Sequence, residues 1–251
     1  MRAPEAVAAE LAAPLEYAQR VESVVAALGI ETLMPRHDDR VDRFLAVWTN
    51  DELGHARALA ELMRHIGVPV TDVHDQPTPV HNHVVGVLAQ ASVGLHRIIE
   101  AVWSTAGAMN EHLAMAAYTH MDAMLVARGE RALHETLFRT LRSHESAHKS
   151  FYAAYAGDVL ATMRPWQRRL ARLVVQHTYM PVGAGGKADR PALGRTVRIL
   201  AGDEWDDLIA SPVQKVAERL LNEGEVMDPF VRAAVLRCLD ADVDGEPRAA
   251  A

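Results

Sequence analysis

The sequence WTNDELGH at residues 48–55, together with HESAH at residues 144–148, decides the fold of this chain. Each stretch contains Glu-x-x-His: Glu52 with His55 in the first, and Glu145 with His148 in the second. An i, i+3 spacing places a carboxylate and an imidazole on the same face of a helix, one turn apart. Two helices of this kind, each with a partner helix that carries a further Glu, are typical of the dinuclear metal site of a four-helix bundle.

The composition favours an all-helical protein. Of the 251 residues, 49% are hydrophobic and only 5% are aromatic, and runs of β-branched residues are short. The net charge of −7 argues against a nucleic-acid binder, because phosphate contacts need a basic surface. Cys238 is the only cysteine, which excludes a disulfide within the chain and predicts a cytoplasmic location. We expect no signal peptide and no membrane span.

Apolar residues at helical spacing predict a series of helices that are separated by Pro and Gly. The expected helices run from Pro4 to Leu28, from about Asp39 to His65, within His81 to Ala127, from Arg131 to Tyr155, and from Pro165 to about Tyr179. Pro14 is expected to start the main part of the first helix, and further short helices should begin at Ser211 and Asp228. The sequence therefore predicts helix almost throughout.

The helices group into one bundle with an appendage. We expect residues 1–186 to form the bundle with its following helix, residues 187–240 to form a helical extension packed on it, and residues 241–251 to be a disordered tail. Residues 180–186, which are rich in Gly, are predicted to be a flexible linker.

The order of the acidic residues supports a metal site more strongly than the motif count does. With 17 Glu and 13 His in 251 residues, about one Glu-x-x-His is expected by chance, and two are present. A helix with a candidate Glu precedes each motif, which gives the order Glu31, Glu52/His55, Glu111 and Glu145/His148. Glu111 lies among residues of core composition, where an unpaired carboxylate is costly to bury. Carboxylate oxygens with one imidazole per metal suit two iron ions and leave positions for O₂.

These motifs resemble those of the soluble acyl-(acyl-carrier-protein) desaturases. WTNDELGH at 48–55 is similar to the second-helix motif of that family, in which Trp-Thr precedes an acidic pair and the ligand His. IETLMP at 30–35 resembles the first-helix ligand segment, and ESAHKSFY at 145–152 resembles the last ligand motif. Glu111 and Glu145 are 34 residues apart, close to the spacing in the family, and the Met-Pro at 180–181 resembles the segment after its bundle. The resemblance covers roughly residues 15–186.

The resemblance implies an all-α, ferritin-like four-helix bundle core with extra C-terminal helices, assembled as a homodimer. It implies two iron ions (Fe2+/Fe3+), held by Glu31, Glu52, His55, Glu111, Glu145 and His148. It also implies O₂-dependent desaturation of a fatty acyl chain carried on acyl carrier protein, with electrons from a ferredoxin-type donor.

Positions beside the expected ligands differ from those of the family. Gly54 and Ala147 stand where the family usually has an Arg before each ligand His, and His144 stands where it has an acid. Three residues after Glu111, Ala114 replaces a Thr that the family often places near O₂. Because the groups around metal ligands tune affinity and activity, these changes predict a different electron route or substrate, or reduced activity.

Alternatives remain open for other residues and for the function. An ordinary bundle core is the first interpretation, and the lining of an acyl channel the alternative, for Met109, Leu113, Met115, Met121, Met124, Trp103 and Phe138. A basic stripe that could meet acyl carrier protein, or be a solvated face, is formed by Arg164, Arg168, Arg169 and Arg172. The alternative functions are a di-iron monooxygenase or hydroxylase on another hydrophobic or carrier-bound substrate, and a non-catalytic ferritin-like protein that binds metal or an acyl chain.

Overall fold

The computed structural model describes residues 4–23, 38–70, 87 and 92–245. These residues are helical and contain no β-strand, which confirms the predicted all-α class. The helices are α1 (Pro4–Ser23), α2 (Asp39–His65), α3 (Val93–Ala127), α4 (Arg131–Leu133), α5 (Arg139–Thr162), α6 (Pro165–Thr178), α7 (Arg190–Ala201), α8 (Ser211–Leu221) and α9 (Phe230–Gly245). A π-helical turn, His134–Phe138, joins α4 to α5. No helix in this part of the chain is long and apolar enough to cross a bilayer.

Polar caps fix the ends of the long helices. The side chain of Asp38 accepts hydrogen bonds from two backbone N–H groups of the first turn of α2, at 2.8 and 3.2 Å. The side chain of Ser92 caps α3 in the same way, at 3.4 Å. Gly129, with a φ of +80°, follows the end of α3. The bounds of α2 confirm the predicted helix from Asp39 to His65.

Helix α1 runs through Pro14 and does not start there, so this detail of the prediction is wrong. Proline removes one backbone hydrogen bond from a helix interior. Val7, Leu11 and Leu15 are each at most 2% exposed on either side of it. Burial of these apolar side chains offsets the lost hydrogen bond.

The long helices pack in two pairs, α1 on α2 and α3 on α5. Towards one end they share an apolar cluster that includes Leu11, Leu59 and Met121. Towards the other end, α2, α3 and α5 share a second cluster that includes Ile98 and Val159. Acidic residues and histidines lie along the same helices between these two clusters.

The C-terminal helices share a core with the N-terminal part of the chain. Helix α7 packs on α9 and α1, and α8 packs on α3. Gly194 allows the backbone of α7 to approach the backbone carbonyl of Cys238 on α9, where any Cβ would clash. One apolar cluster joins Tyr17 and Met109 to Val197 of α7. Of the helices after residue 186, α7 therefore packs directly against α1 and α8 against α3, and α9 packs on α7.

Residues 180–186 do not form the flexible linker that their composition predicts. The hydroxyl of Tyr17 donates a hydrogen bond to the backbone carbonyl of Val182. The side-chain oxygen of Asn110 accepts hydrogen bonds from the Val182 N–H and the Tyr179 hydroxyl, each at 3.3 Å. Ala184 is fully buried. Contacts made by distant helices therefore dock this segment.

The C-terminal boundary also differs from the prediction. Helix α9 continues to Gly245, so residues 241–245 of the predicted tail are helical. Asp242 is 5% exposed and lies 3.2 Å from the guanidinium of Arg198 on α7, which holds the end of α9 in place. Residues 246–251 lie outside the described residues.

Candidate metal centre

Four helices each contribute one buried glutamate to a single cluster. Glu22 comes from α1, Glu52 from α2, Glu111 from α3 and Glu145 from α5, and none is more than 7% exposed. His55 and His148 join them and are 4% and 3% exposed. Carboxylates buried together in this way need a positive partner, because isolated charges are costly to remove from water.

The cluster divides into two sets of possible metal ligands. The first set contains Glu22, Glu52, His55 and Glu145, and the second contains Glu52, Glu111, Glu145 and His148. Within each set, one nitrogen or oxygen from every residue lies within 4.8 Å of the others. Glu52 and Glu145 belong to both sets. Each set could therefore hold a metal ion, and the two sets share a pair of carboxylates.

Apolar neighbours fix the helix face on which each Glu-x-x-His pair lies. Trp48 lies one turn before Glu52 and is 5% exposed, and Leu59 lies one turn after His55 and is fully buried. On α5, Leu141 and Tyr152 hold the corresponding places and are 1% and 2% exposed. Because this stripe faces the core, the carboxylate and the imidazole at i, i+3 must face it too.

Five of the six residues predicted as ligands come together in this cluster, and Glu31 lies outside the described residues. Among the described residues, α1 contributes Glu22 to the cluster, a residue that was not predicted as a ligand. A signal for it is present, because Glu22 lies seven residues after Leu15 and eleven after Leu11, on the buried stripe of α1. An acidic residue on an apolar stripe was the observation needed.

Both histidines turn the same ring nitrogen towards the carboxylates. His55 Nδ1 lies 3.1 Å from Glu145 Oε1 and 3.5 Å from Glu22 Oε2. His148 Nδ1 lies 3.1 Å from Glu52 Oε1 and 3.6 Å from Glu145 Oε2. Each Nδ1 therefore faces the carboxylates of its own ligand set.

The opposite nitrogens of these two rings are held by polar partners. His148 Nε2 lies 3.2 Å from Asp51 Oδ2, and His55 Nε2 lies 3.1 Å from His144 Nδ1. His144 Nδ1 is also 3.7 Å from Asp51 Oδ1. A carboxylate or another acceptor on the far nitrogen commonly orients a metal-binding histidine. Asp51 and His144 therefore hold the two imidazole rings from the side away from the carboxylates.

Two aromatic side chains hold the outer oxygens of the cluster. The indole N–H of Trp48 donates a hydrogen bond to Glu111 Oε1 at 3.1 Å. The hydroxyl of Tyr118, which is 1% exposed, donates to Glu22 Oε1. These bonds leave the other oxygen of each carboxylate for the interior of the cluster.

The electrostatics of the cluster favour protons on some of its carboxylates. Burial raises the pKa of Glu52 well above its usual range, and the charges of Glu22 and Glu145 raise it further. Burial and the contact with Glu145 likewise raise the pKa of Glu111, against the opposing hydrogen bond from Trp48. Two carboxyls are therefore disposed to carry a proton when no other cation is present.

Glu145 and His55 form a charged pair in the cluster. Burial alone would raise the pKa of Glu145, but its contacts with His148 and His55 hold that pKa below its usual range. Burial alone would lower the pKa of His55, but its contacts with Glu145 and Glu22 raise it to about 10. Protons thus supply the positive charge inside the cluster, in the place where a metal ion would supply it.

Unpaired atoms show that the cluster fits a metal ion. Six buried atoms of the cluster have no partner in hydrogen-bond geometry, although some lie at ion-pair distances: Glu22 Oε2, Glu52 Oε1, His55 Nδ1, both carboxylate oxygens of Glu145, and His148 Nδ1. Buried polar atoms are almost always hydrogen-bonded in folded proteins. All six can offer a lone pair to a metal ion once that ion displaces the protons of the cluster, and all six belong to the two ligand sets. The buried Glu and His groups could thus hold a metal ion.

An apolar cavity of about 50 Å³ lies beside Glu22. Tyr118, Leu113 and Ala114 of α3 line it, together with Val197 and other apolar side chains of α7. Ala114 is the position at which the resembling family often has a Thr. The cavity therefore places small and apolar side chains next to one end of the carboxylate cluster.

Other residues singled out in the sequence have various surroundings. Met109, Met121 and Phe138 are fully buried core residues outside the cavity lining. Arg168, Arg169 and Arg172 line an open groove on α6 together with Glu223 and Glu225. Arg168 lies 3.7 Å from Glu223, so acidic residues partly offset the basic stripe.

The chain was compared with family models, with curated proteins and with solved structures, and none of these comparisons gave a match.

Proposed function

We propose that this chain is a di-iron, O₂-dependent oxidoreductase with a ferritin-like four-helix bundle core formed by α1, α2, α3 and α5. One observation carries the proposal: two ligand sets share Glu52 and Glu145, and each set adds one further glutamate and one histidine. This composition is that of dinuclear carboxylate centres in helical bundles, where each of two helices gives a Glu and each of the other two gives Glu-x-x-His.

Each of the six side chains has a role in this proposal. Glu52 and Glu145 would bridge the two ions, because both belong to both sets. Glu22 and His55 would complete one site, and Glu111 and His148 would complete the other. Hard carboxylate oxygens with imidazole nitrogens suit iron among the biologically available metals. When bound, such a centre supplies one-electron and two-electron chemistry with O₂.

The protein itself supplies orientation, exclusion of water and proton placement. Asp51 and His144 hold the two imidazole rings by their Nε2 atoms. Trp48 and Tyr118 hold Glu111 and Glu22 by one oxygen each. Every ligand is less than a tenth exposed, so water is largely kept from the reacting space.

For the substrate we propose a fatty acyl chain on acyl carrier protein, which the sequence resemblance implies and the apolar lining beside Glu22 supports. A cavity of about 50 Å³ accommodates only a short apolar segment, since a cavity of about 150 Å³ is the size that holds a benzene molecule. A long acyl chain therefore requires the walls formed by α3 and α7 to move apart. Desaturation also requires an external electron donor, for which we propose a ferredoxin-type protein. We also propose that the chain forms a homodimer, as the sequence resemblance implies.

The size of the cavity also favours a second candidate, a di-iron hydroxylase that acts on a small hydrophobic molecule. Such a substrate could fit beside Glu22 with less movement of Val197 and its neighbours. The changed residues Gly54, Ala147 and His144 agree with either a different substrate or a different electron donor.

Two measurements test these functions in sequence. Protein expressed with iron should contain about two iron ions per chain. A chain that takes up no iron after reconstitution would contradict the proposal. The loaded and reduced protein is then mixed with O₂ and acyl carrier protein substrates, and the products are analysed by mass spectrometry. Loss of two hydrogens supports desaturation, and gain of one oxygen on the acyl chain or on a small hydrophobic molecule supports the hydroxylase. If neither product forms, the protein binds metal without catalytic turnover.

A further inference from the structure

Four oxidisable aromatic rings form a continuous line from the carboxylate cluster towards the surface. We call Trp48, Tyr152, Trp103 and Tyr155 the aromatic chain. The sequence contains only 4 Trp and 5 Tyr, nine in total, so four of these nine rings lie in one line. This concentration in a chain with few aromatic residues calls for an account beyond general packing.

The rings follow one another at near-contact distances. The ring centroids of Trp48 and Tyr152 are 6.3 Å apart, those of Tyr152 and Trp103 are 5.0 Å apart, and those of Trp103 and Tyr155 are 6.3 Å apart. All three pairs are edge-to-face, with interplanar angles between 68° and 88°. Because electron tunnelling weakens exponentially with distance, neighbours this close exchange electrons readily.

The inner end of the aromatic chain touches the candidate metal centre directly. The indole N–H of Trp48 donates a hydrogen bond to Glu111, at 3.1 Å. The outer end lies under the surface. The guanidinium of Arg40, whose side chain is 53% exposed, lies 5.5 Å from the ring centroid of Tyr155.

A proton acceptor stands at the outer end. The hydroxyl of Tyr155 donates a hydrogen bond to Glu100 Oε1 at 2.6 Å. Glu100 is only 3% exposed, and its other oxygen lies 3.2 Å from the guanidinium of Arg97. A tyrosine that loses an electron also gives up its hydroxyl proton, and Glu100 lies where that proton must go.

We propose that the aromatic chain is an escape route for oxidising equivalents, which carries them from the metal centre to Tyr155 when no substrate is in place. This role rests on the proposed function, because Trp and Tyr lose an electron only to a strong oxidant, such as a metal centre that has reacted with O₂. Phe44 and Phe151, which stack beside the chain at 3.8 Å between centroids, cannot be oxidised in this way and serve as packing.

Each step of the route balances. Trp48 would give one electron to the oxidised metal centre. Trp103 would then refill the vacancy on Trp48 across the ring of Tyr152, which lies between them and keeps its proton, and Tyr155 would refill the vacancy on Trp103. Tyr155 then lacks one electron, and its hydroxyl proton rests on Glu100. A one-electron reductant of the thiol class at the surface restores the electron, and Glu100 returns the proton. The net change is one electron passed from the external reductant to the metal centre.

The conducting property can be tested in metal-free protein. Asp158 lies one turn from Tyr155 and its side chain is 61% exposed, whereas Cys238 is fully buried. A ruthenium polypyridyl photo-oxidant attached through Asp158→Cys would thus react at this one position. After a laser flash and oxidative quenching, transient absorption should show the oxidised label recovering its electron as Trp and Tyr radicals appear.

Variants with Phe, an aromatic residue that is not oxidised in this way, decide whether the aromatic chain is the source of these radicals. The double variant Tyr155→Phe/Trp103→Phe should lose the radical signal, and Trp205→Phe, outside the aromatic chain, should retain it. Absence of radicals in the parent, their persistence in the double variant, or an equal loss in Trp205→Phe would each overturn the proposal. Circular dichroism confirms that each variant is folded.

The loaded protein tests the escape role. After exposure to O₂ without substrate, iron-loaded protein should show an organic radical by electron paramagnetic resonance and oxidation of Tyr155 by peptide mass spectrometry. Both should be lost in Tyr155→Phe, and their persistence would overturn the role. A chain that binds no iron overturns the proposed function and the escape role together, while the photochemical result still decides whether the rings conduct.

Discussion

At the level of single residues, His55 and His148 each use one ring nitrogen for the ligand set and the other for a contact that orients the ring. Each ring presents Nδ1 to the carboxylates and is held at Nε2 by a group outside the two ligand sets. The group that holds His148 Nε2 is the carboxylate of Asp51. Asp51→Asn should therefore lower metal affinity by roughly 10–100-fold, the usual cost of losing such a partner.

A chelator competition titration measures this change. His65→Asn alters an exposed residue on the same helix and serves as the control, since its side chain lies far along α2 from the cluster. Equal affinity in Asp51→Asn and the parent would show that Asp51 does not orient His148.

The two candidate first-helix glutamates give a second prediction at this scale. Glu22 lies in the cluster, and its Oε2 has no hydrogen-bond partner. Glu22→Gln removes one anionic ligand from the first set, so the protein should hold fewer than two ions per chain. Glu31→Gln is the matched control and should retain both. Metal analysis after desalting distinguishes them, and the reverse result would restore Glu31 as the ligand.

At the scale of elements, the approach of α3 to α5 depends on Gly107. A Cβ at this position would lie 2.5 Å from two ring carbons of Tyr152. Gly107→Ala should therefore push the helices apart and destabilise the protein by about 1–3 kcal/mol, as overpacking does. Gly157→Ala on α5 has nothing within 4 Å of the added carbon and should stabilise by up to about 1 kcal/mol. Urea unfolding measures both, and equal effects would refute the close-contact explanation.

Helical periodicity predicted the positions of the long helices well. Contacts between residues distant in sequence determine how the segments between them pack. The apolar stripe of α2 predicted its bounds because the stripe is local in sequence. Residues 180–186 could not be predicted as docked, because Asn110 and Tyr17, which hold them, are distant in sequence. Glu22 was missed for a different reason. Its place on the buried stripe was readable, but the resemblance drew attention to Glu31.

At the scale of the whole molecule, the cluster couples metal binding to stability. Without a metal, the four buried carboxyls limit their mutual repulsion by carrying protons, and a cation at the six unpaired atoms would take the place of those protons. A metal present at about 100 times its Kd should stabilise the fold by about 2.7 kcal/mol, and a chelator should reverse the gain. Scanning calorimetry with and without metal measures this shift. Glu22→Gln should show a smaller shift, and an unchanged melting temperature in the parent would contradict the coupling.

The central claim is that Glu52 and Glu145 are shared between two metal ions. Anomalous diffraction from crystals of the iron-loaded protein, measured on both sides of the iron absorption edge, tests it most directly. Two iron peaks are expected between α1, α2, α3 and α5, with Glu52 and Glu145 contacting both and Glu22 contacting one. A single peak, no peak, or two peaks without a shared glutamate would contradict it.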